Sequence, residues 1–328
     1  MANIAIVGAT GLVGRTMLRV LQERNIQVTS LRLLASARSA GEIIAWNGNE
    51  YTVEELTEDS FDSIDYALFS AGGSISKQYA PIAAKNGCIV IDNSSAWRMD
   101  PDVPLVVPEV NPQSAHEHKG IIANPNCSTI QLVVALKPLH MHFGLTRVIV
   151  STYQTPSGAG QKGIDHLLDE INGIAPTKRI SSHKVAYNTV FHAFPVGELF
   201  TEEEIKIKNE TRKIMGIPNL PIAVTCVRVP ILGGHGESII IHTEKSCDTN
   251  DIRNILNISS GIVVVDNPLM EEYPTAADSE HRDEVFVGRI RRDDSSENSF
   301  HLWITADNLR KGAATNAVQI LQLLEEQQ

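Results

Sequence analysis

The residues that flank Cys127 favour its acting as a nucleophile. An apolar strand pattern ends at Asn124, Pro125 blocks its continuation, and a helical pattern begins at Ser128 or Thr129. Backbone N–H groups and the positive end of a helix dipole would stabilise a thiolate there. We therefore expect the pKa of Cys127 to fall below the free value of about 8.5. The alternative is a small buried hydrophobe, which describes most cysteines.

The segment RVPILGGHGES at residues 228–238 carries two further side chains suited to such a reaction. Arg228 ends an apolar strand pattern, so its guanidinium is predicted to enter a cleft and bind a substrate carboxylate through two hydrogen bonds. Glycines flank His235 and permit close approach of a ligand. Placed near Cys127, His235 would act as general base and then as general acid. The alternative is a surface or core histidine.

A glycine-rich turn near the amino end predicts a nucleotide site. GATGLVG at residues 8–14 follows the first strand pattern and opens the first helix, where a pyrophosphate could approach backbone N–H groups. The second strand pattern is followed by no carboxylate before Glu42. Arg38, supported by Ser36 and Ser39, suits a 2′-phosphate, so NADP is the predicted cofactor. A simple tight turn and a solvated loop arginine are the alternatives.

Length and composition narrow the class of protein. The chain has 328 residues, 42% of them apolar and 20% charged, which suits a globular protein with two cores. A net charge of -11 argues against nucleic acid or an anionic membrane as the partner. The four cysteines show no metal-like spacing, so no metal site is predicted. Without a signal peptide or an apolar run near ~18 residues, we expect a cytoplasmic protein.

The order of patterns predicts two kinds of sheet. Short β-branched runs alternate with helical patterns in the first third, which indicates a parallel sheet covered by helices on both faces. After residue 127, longer amphipathic strands predict a mixed or antiparallel sheet of α+β type. Those strands are expected at 147–155, 222–230, 236–243, 285–291 and 299–306, with helices at 163–172, 202–215, 249–257 and 312–326.

Four motifs together resemble bacterial aspartate-β-semialdehyde dehydrogenases, and the resemblance runs essentially from end to end. They are GATGLVG at 8–14, NSSAWR at 93–98, NPNCST at 124–129 and the segment 228–238. The resemblance implies an NADP-dependent enzyme that interconverts L-aspartate 4-semialdehyde plus phosphate with L-4-aspartyl phosphate, on the route to lysine, threonine, methionine and diaminopimelate. It implies a Rossmann-type α/β nucleotide domain, residues 1–126 plus 308–328, and an α+β catalytic and dimerisation domain, residues 127–307.

The same resemblance implies roles for individual residues. Cys127 would attack the aldehyde and His235 would take the proton, leaving a thioester that phosphate cleaves. Asn126 and Gln154 would orient the acyl group, Gln154 also binding the substrate, and Arg228 would hold the α-carboxylate. Glu210 matches a substrate-binding acid, while Arg98 and Lys213 match phosphate-binding positions. The predicted cofactor contacts are Gly8, Thr10, Gly11, Leu12, Val13, Ser36, Arg38, Ser39, Ser157, Gly158 and Asn308.

One position and one short run depart from the family pattern. Gly236 follows the expected catalytic histidine, where members often carry serine, and the run 188–195 differs from the Pro-containing run of the family. Both bear on the subfamily and leave the expected nucleophile and arginines untouched.

The sequence alone also allows three other functions. N-acetyl-γ-glutamyl-phosphate reductase shares the fold and cysteine chemistry, but an acetamide has no use for an acid such as Glu210. Glyceraldehyde-phosphate dehydrogenase differs in its nucleophile motif and usual cofactor preference. A non-catalytic NADP-binding protein would not need Cys127, His235, Arg228 and Arg98 together. Strands beyond the needs of one core suggest a homodimer.

Overall fold

A computed structural model describes residues 2–326, which form two compact units. One unit runs to Asn126 and resumes at Ala313, and the other is Cys127–Gly312. The predicted outer limits at residues 1 and 328 lie outside the described residues. The assignment of nucleotide binding to the first unit, and of catalysis and dimerisation to the second, stays a prediction.

Both units contain strands and helices, numbered in chain order. The strands are β1 (Ala2–Val7), β2 (Val28–Ala35), β3 (Ile43–Trp46), β4 (Asn49–Thr52), β5 (Glu54–Glu55), β6 (Tyr66–Phe69), β7 (Ile89–Asp92), β8 (Ile121–Ala123), β9 (Leu145–Gln154), β10 (Val190–Phe191), β11 (Ile222–Arg228), β12 (His235–Thr243), β13 (Ile262–Val264), β14 (Val285–Arg292) and β15 (Ser299–Ala306). The helices are α1 (Leu12–Glu23), α2 (Gly73–Lys85), α3 (Cys127–Phe143), α4 (Gln161–Ile171), α5 (Glu202–Met215), α6 (Thr249–Asn257) and α7 (Thr315–Glu325).

The first unit is built on a parallel sheet, as predicted. Within the described residues it has six strands in the order β5-β2-β1-β6-β7-β8, and all its strand pairs are parallel. β1 is almost wholly buried because helices cover both faces of such a sheet. Strand order reverses between β1 and β6, and the carboxyl ends of strands at such a reversal form the binding crevice of open α/β sheets. β3 and β4 form a separate antiparallel hairpin that no sequence pattern indicated.

The turn between β1 and α1 depends on its glycines. Gly8 has φ +89°, which side chains rarely adopt. At Gly14, an added Cβ would lie 2.3 Å from the carbonyl oxygen of Gly8. The first turn of α1 therefore packs directly on the loop that precedes it. Gly11 caps α1 without a side-chain hydrogen bond, so backbone alone forms this end of the helix.

The second unit contains the predicted mixed sheet. Within the described residues it has seven strands in the order β10-β11-β9-β12-β15-β14-β13. β9 runs parallel to β11 and antiparallel to β12, while β12, β15 and β14 continue antiparallel. α3 packs against four strands of this sheet and against α5 and α6. The fold class predicted from the sequence is thereby confirmed for both units.

The carboxyl-terminal pattern differs from the single helix expected over 312–326. Arg310–Ala314 forms a π-helical turn, and the regular helix α7 begins at Thr315. The carboxylate of Asp307 accepts hydrogen bonds from the backbone N–H groups of Leu309 and Arg310. This side-chain cap starts a wider turn before the α-helical pattern takes over. None of the helices described between residues 2 and 326 has the length and apolar content that a bilayer crossing requires.

Replacing Gly14 by alanine is expected to destabilise the first unit. The new methyl group would overlap the Gly8 carbonyl, and overpacking of this kind costs about 1–3 kcal/mol. The midpoint of urea unfolding should fall accordingly. Gly73→Ala is the matched control, because the nearest atom to a Cβ at that position is 4.0 Å away. Equal midpoints for Gly14→Ala and the unmodified chain would contradict the predicted clash.

Candidate active site

Three neighbouring strands of the second unit bring polar side chains to one level of the sheet. Arg228 on β11 pairs with Gln154 on β9, and Gln154 pairs with His235 on β12. Side chains in register on neighbouring strands point to the same face. Arg228, Gln154 and His235 therefore form one row, which we call the strand-end row.

Cys127 meets this row from α3. It is the first residue of the helix, one or two positions earlier than the sequence pattern indicated. Its Sγ lies 3.2 Å from Nε2 of His235, and the side chain is half-buried. Gly312 packs against the nucleophile, because a Cβ there would come within 2.8 Å of the Cβ of Cys127. No local pattern had marked Gly312 as part of the site.

The other cysteines fit the alternative of an inert buried thiol. Burial raises the pKa of Cys88 to about 12, with a smaller contribution from Asp65. Burial also raises the pKa of Cys226 and of Cys247. Cys127 differs from all three in being partly exposed and in contact with an imidazole. It is thus the cysteine placed for chemistry.

The tautomer of His235 decides what Nε2 can do for Cys127. Nδ1 lies 3.2 Å from the backbone nitrogen of Thr155 and 3.2 Å from the carbonyl oxygen of Gly234. It can accept from Thr155 or donate to Gly234, and the choice fixes the position of the ring proton. Donation to Gly234 leaves Nε2 unprotonated and facing the thiol. We assign the reactive form to that bond, because it persists when Nε2 takes the thiol proton.

Burial keeps His235 neutral. The ring has no exposed surface, and burial lowers its pKa to about 3. The bond to Gly234 and the charge of Glu203 raise the pKa, while Arg228 and His192 lower it further. At neutral pH the imidazole is therefore a free base. It can accept a proton from Cys127 only in a step that creates compensating negative charge.

The remaining predicted substrate and phosphate residues occupy two places. Glu210 is buried and Lys213 half-buried on α5, which packs against α3 and β11 in the second unit. Arg98 belongs to the first unit, where Nε donates to the carbonyl of Asn124 and Nη2 to that of Asn93. Asn126 is buried directly before α3.

No sequence pattern had indicated that Asn124, the first residue of the NPNCST motif, has a structural role. Its side-chain amide donates to Asn93 and to the carbonyl of Ala313, and its oxygen accepts from Asn316. These bonds fix the chain three residues before Cys127. Because the partners are far apart in sequence, no spacing rule could have indicated them.

The predicted nucleotide site of the first unit is a cavity of about 480 Å³ at the strand reversal. Leu12 and Val13 begin α1 beside it without lining it. The sequence missed Glu55, Ser70 and Tyr79, which contribute to the wall. The predicted residues in the wall are Gly8, Thr10, Gly11, Ser36, Arg38 and Ser39. Backbone turn, hydroxyl groups and arginine thus surround one space that suits a phosphorylated nucleotide.

The other predicted cofactor residues lie in the second unit. Asn308 donates to Oγ of Ser157 at 3.0 Å, so these two form a pair. Gly158 is exposed beside His235, since a Cβ there would lie 3.8 Å from the imidazole. A side chain at this position would narrow the approach to the imidazole and to the thiol it contacts.

The two departures from the family pattern have structural consequences. A Cβ at Gly236 would lie 2.6 Å from the ring of Trp303, whose indole N–H donates to the carbonyl of Pro274. A serine at this position, which the family often has, would therefore require the Trp303 ring to shift. Within the run 188–195, β10 pairs antiparallel with β11, placing Val190 opposite Arg228.

Two family models match the chain: "semialdehyde dehydrogenase, NAD binding domain" over residues 3–118 and "semialdehyde dehydrogenase, dimerisation domain" over residues 136–311. The aspartate-semialdehyde dehydrogenase of Aquifex aeolicus is 54% identical over 98% of this chain and 97% of its own. That of Bacillus subtilis is 48% identical over 99% and 97%. The crystal structure of aspartate semialdehyde dehydrogenase II from Vibrio cholerae complexed with ASA has a TM-score of 0.95 and 44% identity, covering 99% of this chain and 98% of that one.

Acid should destabilise the fold through two buried histidines. Burial lowers the pKa of His192 to about 4 and that of His235 to about 3, from an ordinary 6.5. At a pH well above 6.5 both are neutral whether the chain is folded or unfolded, but mainly the unfolded chain protonates them as the pH falls toward 4. Each histidine should therefore remove up to about 1.4 kcal/mol of unfolding free energy per pH unit in this range.

Urea unfolding between about pH 7 and about pH 4.5, at one protein concentration, measures this slope. His192→Asn should flatten it, whereas His183→Asn should not, because His183 is exposed. An unchanged slope in His192→Asn would show that this histidine is protonated in the folded chain.

Proposed function

We propose how this chain carries out the reaction of the aspartate-semialdehyde dehydrogenase family, to which it belongs. The enzyme interconverts L-aspartate 4-semialdehyde and L-4-aspartyl phosphate, a step in the synthesis of lysine, threonine, methionine and diaminopimelate. The observation that carries the residue assignment is the 3.2 Å contact between Sγ of Cys127 and Nε2 of His235.

Cys127 and His235 together handle the protons of the reaction. As Sγ attacks the aldehyde carbon, Nε2 accepts the thiol proton and returns it to the oxygen of the thiohemiacetal. NADP⁺ supplies the hydride acceptor for that carbon. His235 then removes the hydroxyl proton, which leaves a thioester on Cys127. Attack by phosphate on the thioester releases aspartyl phosphate and returns the sulfur as a thiolate beside the protonated imidazole.

Charged residues give the substrate its orientation. We assign the substrate α-carboxylate to Arg228, which lies in the strand-end row, and the free α-amino group to Glu210 on α5. Burial lowers the pKa of Arg228 while Glu203 and Cys127 raise it, and the guanidinium remains the local cation. Lys213 and Arg98 are assigned to phosphate.

Gln154 and Asn126 flank the reacting carbon in this proposal. Gln154 stands between Arg228 and His235 in the strand-end row, so a substrate held by Arg228 must pass it to reach Cys127. Asn126 directly precedes the nucleophile. Both are assigned to orient the acyl group.

NADP is the proposed cofactor. The cavity at the strand reversal is lined by Gly8 and Gly11 of the fingerprint and by Arg38 between two serines, and an arginine can pair with a 2′-phosphate dianion. Ser157, Gly158 and Asn308 are proposed as its contacts in the second unit. The tight packing of Gly14 on the Gly8 carbonyl supports a backbone surface shaped for pyrophosphate.

We propose a homodimer formed through the second unit, since the family model that covers residues 136–311 is a dimerisation domain. A cytoplasmic location is proposed because none of the four cysteines is in a disulfide.

Cys127→Ser should lower phosphate-dependent NADPH formation from aspartate semialdehyde by at least about 1,000-fold, because a hydroxyl is a far weaker nucleophile than a thiolate. Absorbance of NADPH measures the rate. Cys88→Ala is the control, as that thiol is buried in the first unit. Without phosphate, the unmodified enzyme should form one NADPH per active site and stop. Turnover of N-acetylglutamate semialdehyde in place of aspartate semialdehyde would contradict the proposed substrate.

Arg38→Ala should raise the KM for NADP⁺ by about 10- to 100-fold and leave that for NAD⁺ nearly unchanged. Hydrogen bonds to charged groups contribute about 1.5–3 kcal/mol, and only NADP⁺ carries the phosphate that would lose them. Arg19→Ala, on the exposed side of α1, controls for general loss of positive charge. Equal effects on the two cofactors would remove Arg38 from the phosphate site.

A further inference from the structure

Gln154 is held by side chains from two helices of the second unit. Its Nε2 lies 2.7 Å from Oγ of Ser128, the residue after the nucleophile, and 3.1 Å from Oε1 of Glu203 on α5. A side-chain amide nitrogen has two hydrogens, so these acceptors use both. Oε1 of Gln154 is left as the acceptor and lies 3.4 Å from the hydroxyl of Thr152.

Glu203 fixes which way this amide points. A carboxylate only accepts hydrogen bonds, so the amide must turn its nitrogen toward Glu203. Glu203 occupies the first turn of α5, where the helix dipole stabilises an anion, and Nζ of Lys206 lies 3.4 Å from Oε2. A neutral group of the same shape would impose no such choice.

Glu203 also supplies negative charge near two buried histidines, a half-buried arginine and a buried thiol. Its charge raises the pKa of His235 on β12, of His192 after β10, and of Arg228 and Cys226 on β11. Lys206 on its own helix partly offsets it. The neighbouring Glu204 also raises the pKa of Cys226.

We propose that Glu203 is a positioning residue of the reaction: it locks the Gln154 amide with its carbonyl oxygen toward the acyl group and sets the charge around the Cys127–His235 pair. The role deepens the proposed function and rests on it. Glu203 acts through Gln154 and His235, so a change at Glu203 should affect kcat more than the KM for the semialdehyde.

Glu204 provides a matched control one residue away. It is as buried as Glu203 and belongs to the same helical turn. Its carboxylate accepts instead from the backbone N–H groups of Thr201 and Cys226. Loss of Glu204 should therefore weaken the start of α5 without disturbing Gln154.

The test compares Glu203→Gln, Glu203→Asp and Glu204→Gln as full-length proteins. Two readouts are used: steady-state kinetics with aspartate semialdehyde, and the pH dependence of Cys127 alkylation by iodoacetamide, which needs no substrate. Glu203→Gln should lower kcat by about 10- to 100-fold, because a disordered amide misplaces the acyl group. It should also move the acid limb of alkylation down by about 0.5 pH unit or more, because loss of a nearby negative charge lowers the pKa of neighbouring acids.

Glu203→Asp should keep the acid limb of the parent enzyme while kcat stays low, since the shorter side chain retains the charge but falls short of Nε2. Glu204→Gln should lower the urea midpoint and leave both the acid limb and kcat close to those of the parent. An unchanged alkylation profile in Glu203→Gln, or the same shift in Glu204→Gln, would overturn the proposal.

A double-mutant cycle separates positioning from general loosening of the fold. If Glu203 acts through Gln154, the effects of Glu203→Gln and Gln154→Met on kcat should be clearly less than additive. Additive effects would refute this route of action. If the parent enzyme failed to oxidise aspartate semialdehyde, the proposed function would fall, whereas the alkylation profiles would still report on the charge that Glu203 supplies.

Discussion

The approach of one sulfur to one imidazole is the constraint on which the second unit depends. Cys127 is the first residue of α3 and His235 is the first residue of β12, and Sγ of the cysteine lies 3.2 Å from Nε2 of the histidine. That distance requires α3 to lie close against β12, and the backbone next to the sulfur must be glycine at position 312. It also requires β9 and β12 to pair in a register that places Gln154 beside His235. A shift of one residue in that register would turn the imidazole to the opposite face.

The strongest sequence patterns predicted the elements that carry the site. The strand over 299–306 and the helices over 202–215 and 249–257 have the predicted bounds, because their apolar residues repeat with the period of the element and turn residues or caps mark their ends. α5, for example, starts with a Thr201 capping box and ends at Gly216 in a left-handed conformation. The short strands β5, β10 and β13 escaped prediction, since two or three residues have no measurable period.

The residue types of the site could be predicted from the sequence, but most of its geometry could not. Cys127 and His235 could be selected from their neighbours in sequence, because strand ends and glycines mark local structure. The strand-end row could not be predicted from the sequence, because the pairing of β11, β9 and β12 depends on the packing of the whole sheet. Glu203 sits in a run of three glutamates, a residue type that is rarely buried without a partner, and nothing in the run distinguishes it from its neighbours. Its burial follows from α5 packing on β11 and α3, which no local pattern records.

Substrate binding has an electrostatic consequence for the base. In the free enzyme, Arg228 lowers the pKa of His235 while Glu203 opposes it, on top of a large effect of burial. A substrate carboxylate on Arg228, as proposed, would neutralise the cation that disfavours imidazolium. The imidazole would then become a better base only when a substrate is present to be attacked. Arg228 also favours a thiolate at Cys127, so the same carboxylate would make the thiol a weaker acid. The two effects oppose each other, and the proton moves to Nε2 only as the sulfur bonds to the substrate carbon and negative charge passes to the aldehyde oxygen.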